Sequence, residues 1–181
     1  IGEKSAERMA LALLEINSED VTNFAVAMND AKEKLHPCPI CGCLTELEIC
    51  PICSSESRNG NLLCILEDYK GVFAFEKTGK YNGKYHVLNG LISPIDDIGP
   101  EDINVASLIE RIKNKENVEI IIALKSSIEG ETTTLYLKKI LEKYPNVKVS
   151  RLSYGIPMGV DIDYLDELTL LNALNDRKNL T

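Results

Sequence analysis

The stretch Cys38-Pro-Ile-Cys-Gly-Cys-Leu-Thr-Glu-Leu-Glu-Ile-Cys-Pro-Ile-Cys53 contains the tetrapeptide Cys-Pro-Ile-Cys twice. The resulting C-x2-C-x8-C-x2-C spacing is typical of a structural zinc site, in which each tight turn points backbone N–H groups at sulfur. Four thiolates complete a tetrahedral zinc ion and leave no open position for a substrate water. We therefore predict one structural Zn2+ per chain. Its predicted ligands are Cys38, Cys41, Cys50 and Cys53.

Two further side chains near this stretch are candidate substitute ligands, His36 and Cys43. Neither shares the symmetry of the two matched tetrapeptides, so we predict that both are non-ligands. The alternative interpretation, two disulfides or unrelated thiols, is less favoured because paired C-x2-C motifs in a chain without a secretion signal indicate a metal site. Cys64 lies inside the apolar run Leu62-Leu63-Cys64-Ile65-Leu66 and is predicted to be a buried thiol in a strand.

Composition narrows the class of protein. The first residues show no basic segment followed by an apolar one, and no apolar stretch approaches the roughly 18 residues of a membrane helix. We predict neither a signal peptide nor a membrane span, and a reducing cytoplasmic location. The net charge of −8 argues against a protein that coats nucleic acid by bulk charge, so DNA contact must be local. The negative charge is also compatible with binding to a basic protein partner.

Hydrophobic spacing divides the chain into a helical part and a mixed part. Residues 5–35 have helical spacing with a break near Ser18, and the cysteine segment follows at 36–54. Beyond it, predicted strands and helices alternate: strands at 61–66, 85–88, 118–124 and 147–152, and helices at 69–78, 105–115, 132–144 and 164–174. Such alternation predicts a parallel sheet covered on both faces.

Acidic residues are predicted at the carboxyl ends of two strands. Glu67 directly follows the first strand, and Glu129 and Glu131 are expected in the loop after the strand at 118–124. Carboxylates that converge at strand ends can hold Mg2+ through oxygen ligands. The alternative is that Glu131 favours the start of the next helix and that Glu67 is an ordinary surface residue. The residues alone leave both open.

Lys4 and Arg8 lie four residues apart beside Gly2, at the start of the first helix. Helix N-termini offer N–H groups to phosphate, and these two cations share one helix face. They are therefore candidates for DNA contact. Taken alone, however, a solvated helix face is the favoured explanation.

Taken together, these motifs resemble the RecR recombination-mediator family of bacterial DNA repair. The resemblance extends along nearly the whole chain and rests on the following strings: Ile1-Gly2-x-Lys4-Ser5-Ala6-x-Arg8, the four-cysteine segment, Leu63-Cys64-Ile65-Leu66-Glu67, Tyr85-His86-Val87-Leu88-Asn89-Gly90, Ser93-Pro94, Ile98-Gly99-Pro100, Ile128-Glu129-Gly130-Glu131-Thr132 and Tyr154-Gly155-Ile156-Pro157-Met158-Gly159. Because all of these strings occur in the same order, the match is specific, whereas any one string alone is weak evidence for the family.

The resemblance implies an α/β multi-module fold. Its expected parts are a helix-hairpin-helix segment at 1–35, a four-cysteine zinc finger at 36–57, a Toprim domain at 58–153 and a C-terminal segment at 154–181. Because the sequence starts at Ile1 and not at methionine, we expect upstream residues that complete the hairpin motif. The resemblance further implies a homo-oligomer, a dimer or a tetrameric ring, which contacts single- and double-stranded DNA through Lys4 and Arg8. Such rings work with RecO, and in some settings RecF, to load RecA on gapped DNA.

Catalytic Toprim domains hold Mg2+ with a glutamate after the first strand and a downstream Asp-x-Asp. Glu67 matches the glutamate, but Lys125 and Ser127 stand in place of the two aspartates. A cation opposes metal binding, and a hydroxyl is a poor substitute for a carboxylate. We therefore predict a non-enzymatic protein that binds RecO through Glu67, Lys125, Glu129 and Glu131. The alternatives are a Mg2+-dependent Toprim nuclease or nucleotidyl transferase, and a zinc-stabilised interaction module without DNA contact.

Overall fold

The computed structural model describes residues 1–153 and 155–179. Tyr154, the first residue of the motif that ends at Gly159, lies outside the described residues, as do the last two residues of the chain. The chain begins with two helices, α1 (Glu3–Glu15) and α2 (Ser18–Lys34). The predicted break near Ser18 is confirmed, and the Asn17 side chain caps α2 by accepting a hydrogen bond from the Asp20 N–H at 2.9 Å.

No residue of α1 or α2 is buried. Their apolar side chains face outward, so that Leu14 is 81% exposed and Phe24 is 55% exposed. An amphipathic helix normally hides such a stripe against another element. The apolar faces of these two helices are thus left without a cover from the described part of the same chain.

The cysteine segment folds into small elements. β1 (His36–Pro37) pairs antiparallel with β2 (Leu44–Thr45), and the short helix α3 (Pro51–Ser54) starts directly after Cys50. None of these three was predicted. They are too short for hydrophobic periodicity to reveal them.

The rest of the chain is an α/β unit around a four-stranded parallel sheet with strand order β4-β3-β5-β6. In chain order its elements are β3 (Asn59–Leu66), α4 (Tyr69–Lys77), β4 (Gly83–Val87), α5 (Val105–Ile112), β5 (Val118–Ala123), α6 (Ile128–Leu141) and β6 (Val147–Arg151). A 3-10 turn at Ile162–Tyr164 and α7 (Glu167–Asn175) follow. The predicted parallel sheet is confirmed.

One face of the sheet is covered as expected, whereas the other is covered over β3 and β4 only, because Glu119 of β5 and Lys148 of β6 are exposed there. On one face, Leu63, Ile65 and Ile120 pack with buried residues of α5 and α6. On the other face, Cys64 and Tyr85 pack with α4 and with the cysteine segment. The cysteine segment is therefore part of the cover of the sheet, and its core is continuous with that of the α/β unit.

Two helix starts differ from prediction. α6 begins at Ile128, not at 132, because the Ser127 hydroxyl accepts a hydrogen bond from the Gly130 N–H at 3.2 Å and caps the helix. Glu129 and Glu131 therefore lie in the first turn of α6, and their predicted position in a loop was wrong. α7 begins at Glu167 and not at 164, capped by Asp166.

Within the described residues, none of the helices combines the length and the apolar character needed to cross a bilayer.

Candidate metal centre and strand-end surface

The side chains of Cys38, Cys41, Cys50 and Cys53 converge in the buried cysteine segment. Their sulfur atoms all lie within 4.8 Å of one another, and Cys41 Sγ is 3.5 Å from Cys50 Sγ. A tetrahedral zinc ion with Zn–S bonds of about 2.3 Å spaces its sulfurs about 3.8 Å apart. Among the described residues, no other group of histidine, cysteine or carboxylate side chains is close enough together to hold a metal ion. The four cysteines can thus hold one zinc ion.

Backbone N–H groups point at three of these sulfurs. The Cys50 N–H donates to Cys38 Sγ, the Cys43 N–H to Cys41 Sγ and the Cys53 N–H to Cys50 Sγ, at 3.4 to 3.5 Å. The Cys53 N–H bond is the knuckle geometry predicted from the tetrapeptide, whereas Cys38 and Cys41 accept from N–H groups outside their own tetrapeptide. Hydrogen bonds from the Cys41 and Cys53 thiols hold the pKa of Cys50 well below its usual value. The hydrogen bond with Cys50 and burial raise the pKa of Cys41 and of Cys53, so within this group the thiolate is favoured at Cys50.

The structure places Cys43 and His36 outside this group. Cys43 Sγ is directed at the Leu44 carbonyl oxygen, and His36 is exposed with Nδ1 close to the Pro37 carbonyl. Burial raises the pKa of Cys43 to about 11 and that of Cys64 to about 12. Both are neutral thiols near pH 7, and the predicted burial of Cys64 in a strand is confirmed.

The cysteine segment is joined to the outer edge of β4. The Val87 N–H donates to the Cys41 carbonyl oxygen at 2.7 Å, and the Lys84 ammonium donates to the Cys53 carbonyl oxygen at 2.7 Å. A side chain at Gly42 would place its Cβ 2.9 Å from the Val87 carbonyl oxygen, and the positive φ of 74° at this turn also favours glycine. The knuckle thus covers an edge strand that would otherwise expose unpaired backbone groups.

An ion pair reinforces the same junction. Arg58, just after the cysteine segment, donates to both carboxylate oxygens of Glu76 in α4, at 3.0 and 2.5 Å. Tyr85 in β4 donates its hydroxyl to the same carboxylate at 2.6 Å. Burial disfavours the charge on Glu76, but these hydrogen bonds outweigh it and lower the pKa of Glu76. This contact was not predicted, because nothing in the local sequence pattern links residues 58, 76 and 85.

At the carboxyl ends of β3 and β5, Glu67 forms an ion pair with Lys125 at 3.1 Å. The other two strand-end glutamates have separate partners: Glu129 accepts a hydrogen bond from the Ser127 hydroxyl at 2.7 Å, and Glu131 lies 3.3 Å from Arg151. The Ser127 hydroxyl lowers the pKa of Glu129. The three carboxylates therefore do not converge as a metal site needs, and sequence analysis missed the part played by Arg151.

Gly130 brings the loop before α6 unusually close to the helix. A Cβ at this position would lie 1.9 Å from the carbonyl oxygen of Lys125. The close approach positions the backbone of Lys125, whose side chain reaches Glu67. Glycine is thus a requirement of this surface.

Lys4 and Arg8 lie on the first two turns of α1, both exposed. Their spacing of four residues puts them on one helix face. Neither forms an ion pair within the described part of the chain. Their charges are available to an external anion.

Four family models match consecutive parts of the chain. They are the helix-hairpin-helix of RecR at residues 1–32, the four-cysteine zinc finger domain of RecR at 35–55, the Toprim domain at 61–153 and the RecR C-terminal region at 155–178. Recombination protein RecR of Staphylococcus aureus strain Newman is 44% identical over 180 residues, which cover 99% of this chain and 90% of the relative. The RecR proteins of strains COL and MRSA252 match with the same identity and coverage.

Proposed function

The chain belongs to the RecR family of recombination proteins, and on this premise we propose that it is a non-enzymatic DNA-repair clamp that works with RecO and RecF to load RecA on gapped or single-stranded DNA. The observation that carries the non-enzymatic part of the proposal is the ion pair between Lys125 and Glu67 at the strand ends. An ammonium group occupies the carboxylate that a Toprim metal ion would need. The hydroxyl of Ser127 is likewise engaged, by Glu129.

This arrangement opposes Mg2+ for a simple electrostatic reason. Mg2+ seeks several oxygen ligands, and a fixed positive charge beside the first ligand disfavours a second one. Toprim phosphoryl transfer depends on that metal, so the surface is better suited to binding a protein. The competing function is a Mg2+-dependent nuclease or nucleotidyl transferase.

Nicking of supercoiled plasmid by the purified protein separates the two functions. We expect no nicking with Mg2+ or Mn2+ at any protein concentration. Metal-dependent nicking that disappears in a Glu67→Gln variant would contradict the proposal and establish the nuclease. Nicking that survives this substitution would point to a contaminating enzyme.

In this proposal Cys38, Cys41, Cys50 and Cys53 are the ligands of one structural zinc ion. Support comes from the sulfur geometry and from the match to a four-cysteine zinc finger. None of the six cysteines forms a disulfide, which supports a reducing cytoplasmic location.

DNA binding is proposed to depend on Lys4 and Arg8. Because contacts to phosphate release counterions, a Lys4→Ala, Arg8→Ala double variant should bind all DNA sequences more weakly. The slope of log affinity against log salt should fall by about 1.5. Fluorescence anisotropy with single- and double-stranded oligonucleotides over a salt series measures both effects. Unchanged affinity of the double variant at low salt would count decisively against this role.

Homo-oligomerisation is proposed to bury the uncovered apolar faces at the two ends of the chain. One is formed by α1 and α2, and the other by α7, where Leu168 is 61% exposed and Leu171 and Leu174 are also exposed. Two self-complementary faces per subunit allow a closed tetramer, whereas one allows only a dimer. We therefore expect a tetrameric native mass by light scattering, and a dimer for a Phe24→Asp variant. A monomeric wild-type protein at micromolar concentration would contradict this proposal.

RecO is proposed to bind the surface of Glu67, Lys125, Glu129 and Glu131. Truncation of one member of a buried charged contact typically costs about 2 to 5 kcal/mol, so Glu129→Ala or Glu131→Ala should weaken RecO binding roughly tenfold or more. Replacement of Lys125 by glutamine frees Glu67 and should strengthen the contact. Titration calorimetry measures these affinities. Glu142→Ala, an exposed position at the other end of α6, is the matched control and should bind as wild type.

A further inference from the structure

The zinc centre carries a net negative charge that the protein must balance. Four thiolates around Zn2+ leave a charge of about −2 on the group. All four cysteines are buried, and buried charge is costly unless opposite charge or hydrogen bonds compensate it. The chain as a whole has a net charge of −8, so compensation has to come from particular cations near the finger.

Lys84 is one such cation. It lies in β4, is half-buried, and donates from Nζ to the carbonyl oxygen of Cys53 at 2.7 Å. It forms no ion pair with a carboxylate anywhere in the described ranges 1–153 and 155–179. The Lys84 ammonium group therefore contacts the backbone of a proposed zinc ligand, and within the described residues no carboxylate neutralises its charge.

Arg111 is the second cation. It projects from α5, is half-buried, and donates from Nη1 to the Tyr85 carbonyl oxygen on the outer edge of β4. Tyr85 packs with the four cysteines in one buried core, so Arg111 is anchored beside the cysteine segment. No carboxylate within the described residues forms an ion pair with Arg111, whereas its helix neighbours Glu110 and Lys113 pair with each other.

The field of these two cations is also seen at Lys115. Burial lowers the pKa of Lys115, and the positive charges of Arg111 and Lys84 lower it further. Arg58 is different, because Glu76 balances its charge.

We propose that Lys84 and Arg111 are the counter-cations of the zinc centre, positioning residues that retain the metal by offsetting the negative charge of its thiolates. They touch backbone carbonyl groups and not the metal. Lys84 thereby fixes the finger against β4, and Arg111 fixes α5 against the same edge strand. The inference rests on the zinc ligands proposed above.

Zinc release from the holoprotein tests the proposal. Excess 4-(2-pyridylazo)resorcinol is added at constant pH, and the rate of zinc transfer is followed by absorbance. Changes to residues that support metal ligands typically cost 10- to 100-fold in metal affinity, so Arg111→Gln and Lys84→Gln should each release zinc about tenfold faster. Arg111→Lys retains the charge and should recover most of the wild-type rate. Lys113→Gln, whose charge is paired with Glu110, should release zinc as wild type.

Cobalt substitution gives a readout that general loss of stability does not move. Removing a nearby positive charge makes the thiolates better electron donors, so the thiolate-to-Co2+ charge-transfer band of Arg111→Gln and Lys84→Gln should move to lower energy. An Arg58→Gln, Glu76→Gln double variant weakens the same junction but removes one positive and one negative charge together, and its band should stay in place.

The inference is overturned if Arg111→Gln and Lys84→Gln keep both the wild-type release rate and the wild-type band. It is also overturned if Arg111→Lys loses zinc as fast as Arg111→Gln, since the role would then be one of shape and not of charge. Failure of the zinc assignment itself is distinguishable, because the wild-type protein would then contain no zinc before the chelator is added.

Discussion

Replacement of Cys50 by alanine is expected to abolish zinc binding and to lower the free energy of unfolding by several kcal/mol, because the affinity of a structural zinc site is largely folding energy. Cys50 has a central place in the group: its sulfur lies 3.5 Å from Cys41 Sγ and accepts the Cys53 N–H, and its residue caps α3. The cysteine core also continues into Tyr85 and Val87 of the sheet. The damage should therefore extend beyond the finger. Elemental analysis and denaturant unfolding with and without zinc measure the two effects.

Cys43→Ala is the matched control, since Cys43 is equally buried and belongs to the same core. Its sulfur is outside the metal group, so zinc content should stay at one per chain. Stability should fall by only about 1 kcal/mol, for the loss of one small buried side chain. Loss of zinc from Cys43→Ala, or its retention in Cys50→Ala, would show that the ligand assignment is wrong.

The parts of the fold that sequence analysis predicted correctly are those with local signals. The repeated tetrapeptide brings four sulfurs together through two tight turns, and the apolar run at β5 pairs as a buried parallel strand. In both cases the residues that determine the structure lie within a few positions of each other. Spacing rules work well at this range.

The parts that it missed depend on contacts between distant residues. The finger joins the sheet through Cys41 with Val87, and the residue just after it, Arg58, joins α4 through Glu76; neither contact has a periodic signature. The same holds at the strand ends. Glu131 and Arg151 meet only because β6 lies next to β5, which brings Arg151 opposite Ile122. Such ion pairs separate carboxylates that sequence position alone would group together.

The start of α6 shows a second reason why prediction from the sequence failed. The predicted start at 132 ignored the capping ability of Ser127, which adds the turn that carries Glu129 and Glu131. That turn contains Gly130, and glycine has a low helix propensity. Here the missing side chain is required by the close approach of Lys125, so tertiary packing overrides the local preference.

Replacement of Gly130 by alanine is accordingly expected to destabilise the protein by about 2 to 3 kcal/mol, as overpacking does, although the same change in an open helix stabilises by about 1 kcal/mol. The new Cβ would lie 1.9 Å from the Lys125 carbonyl oxygen and 3.1 Å from its carbonyl carbon, so backbone atoms have to move. The Lys125 carbonyl oxygen accepts the Ser127 N–H at 3.0 Å, so its movement displaces Ser127, whose hydroxyl caps α6 and donates to Glu129. RecO binding should therefore weaken together with stability.

Thermal unfolding and titration calorimetry of the Gly130→Ala variant measure these two losses. Gly60→Ala is the control, because a Cβ there meets only the Lys115 ammonium at 3.6 Å, an ordinary contact, and Gly60 lies at the opposite end of β3 from Glu67. Its zinc content and RecO affinity should match wild type. If Gly130→Ala proved as stable as wild type and bound RecO equally well, the close approach of Lys125 to α6 would have no role in holding the partner surface in place.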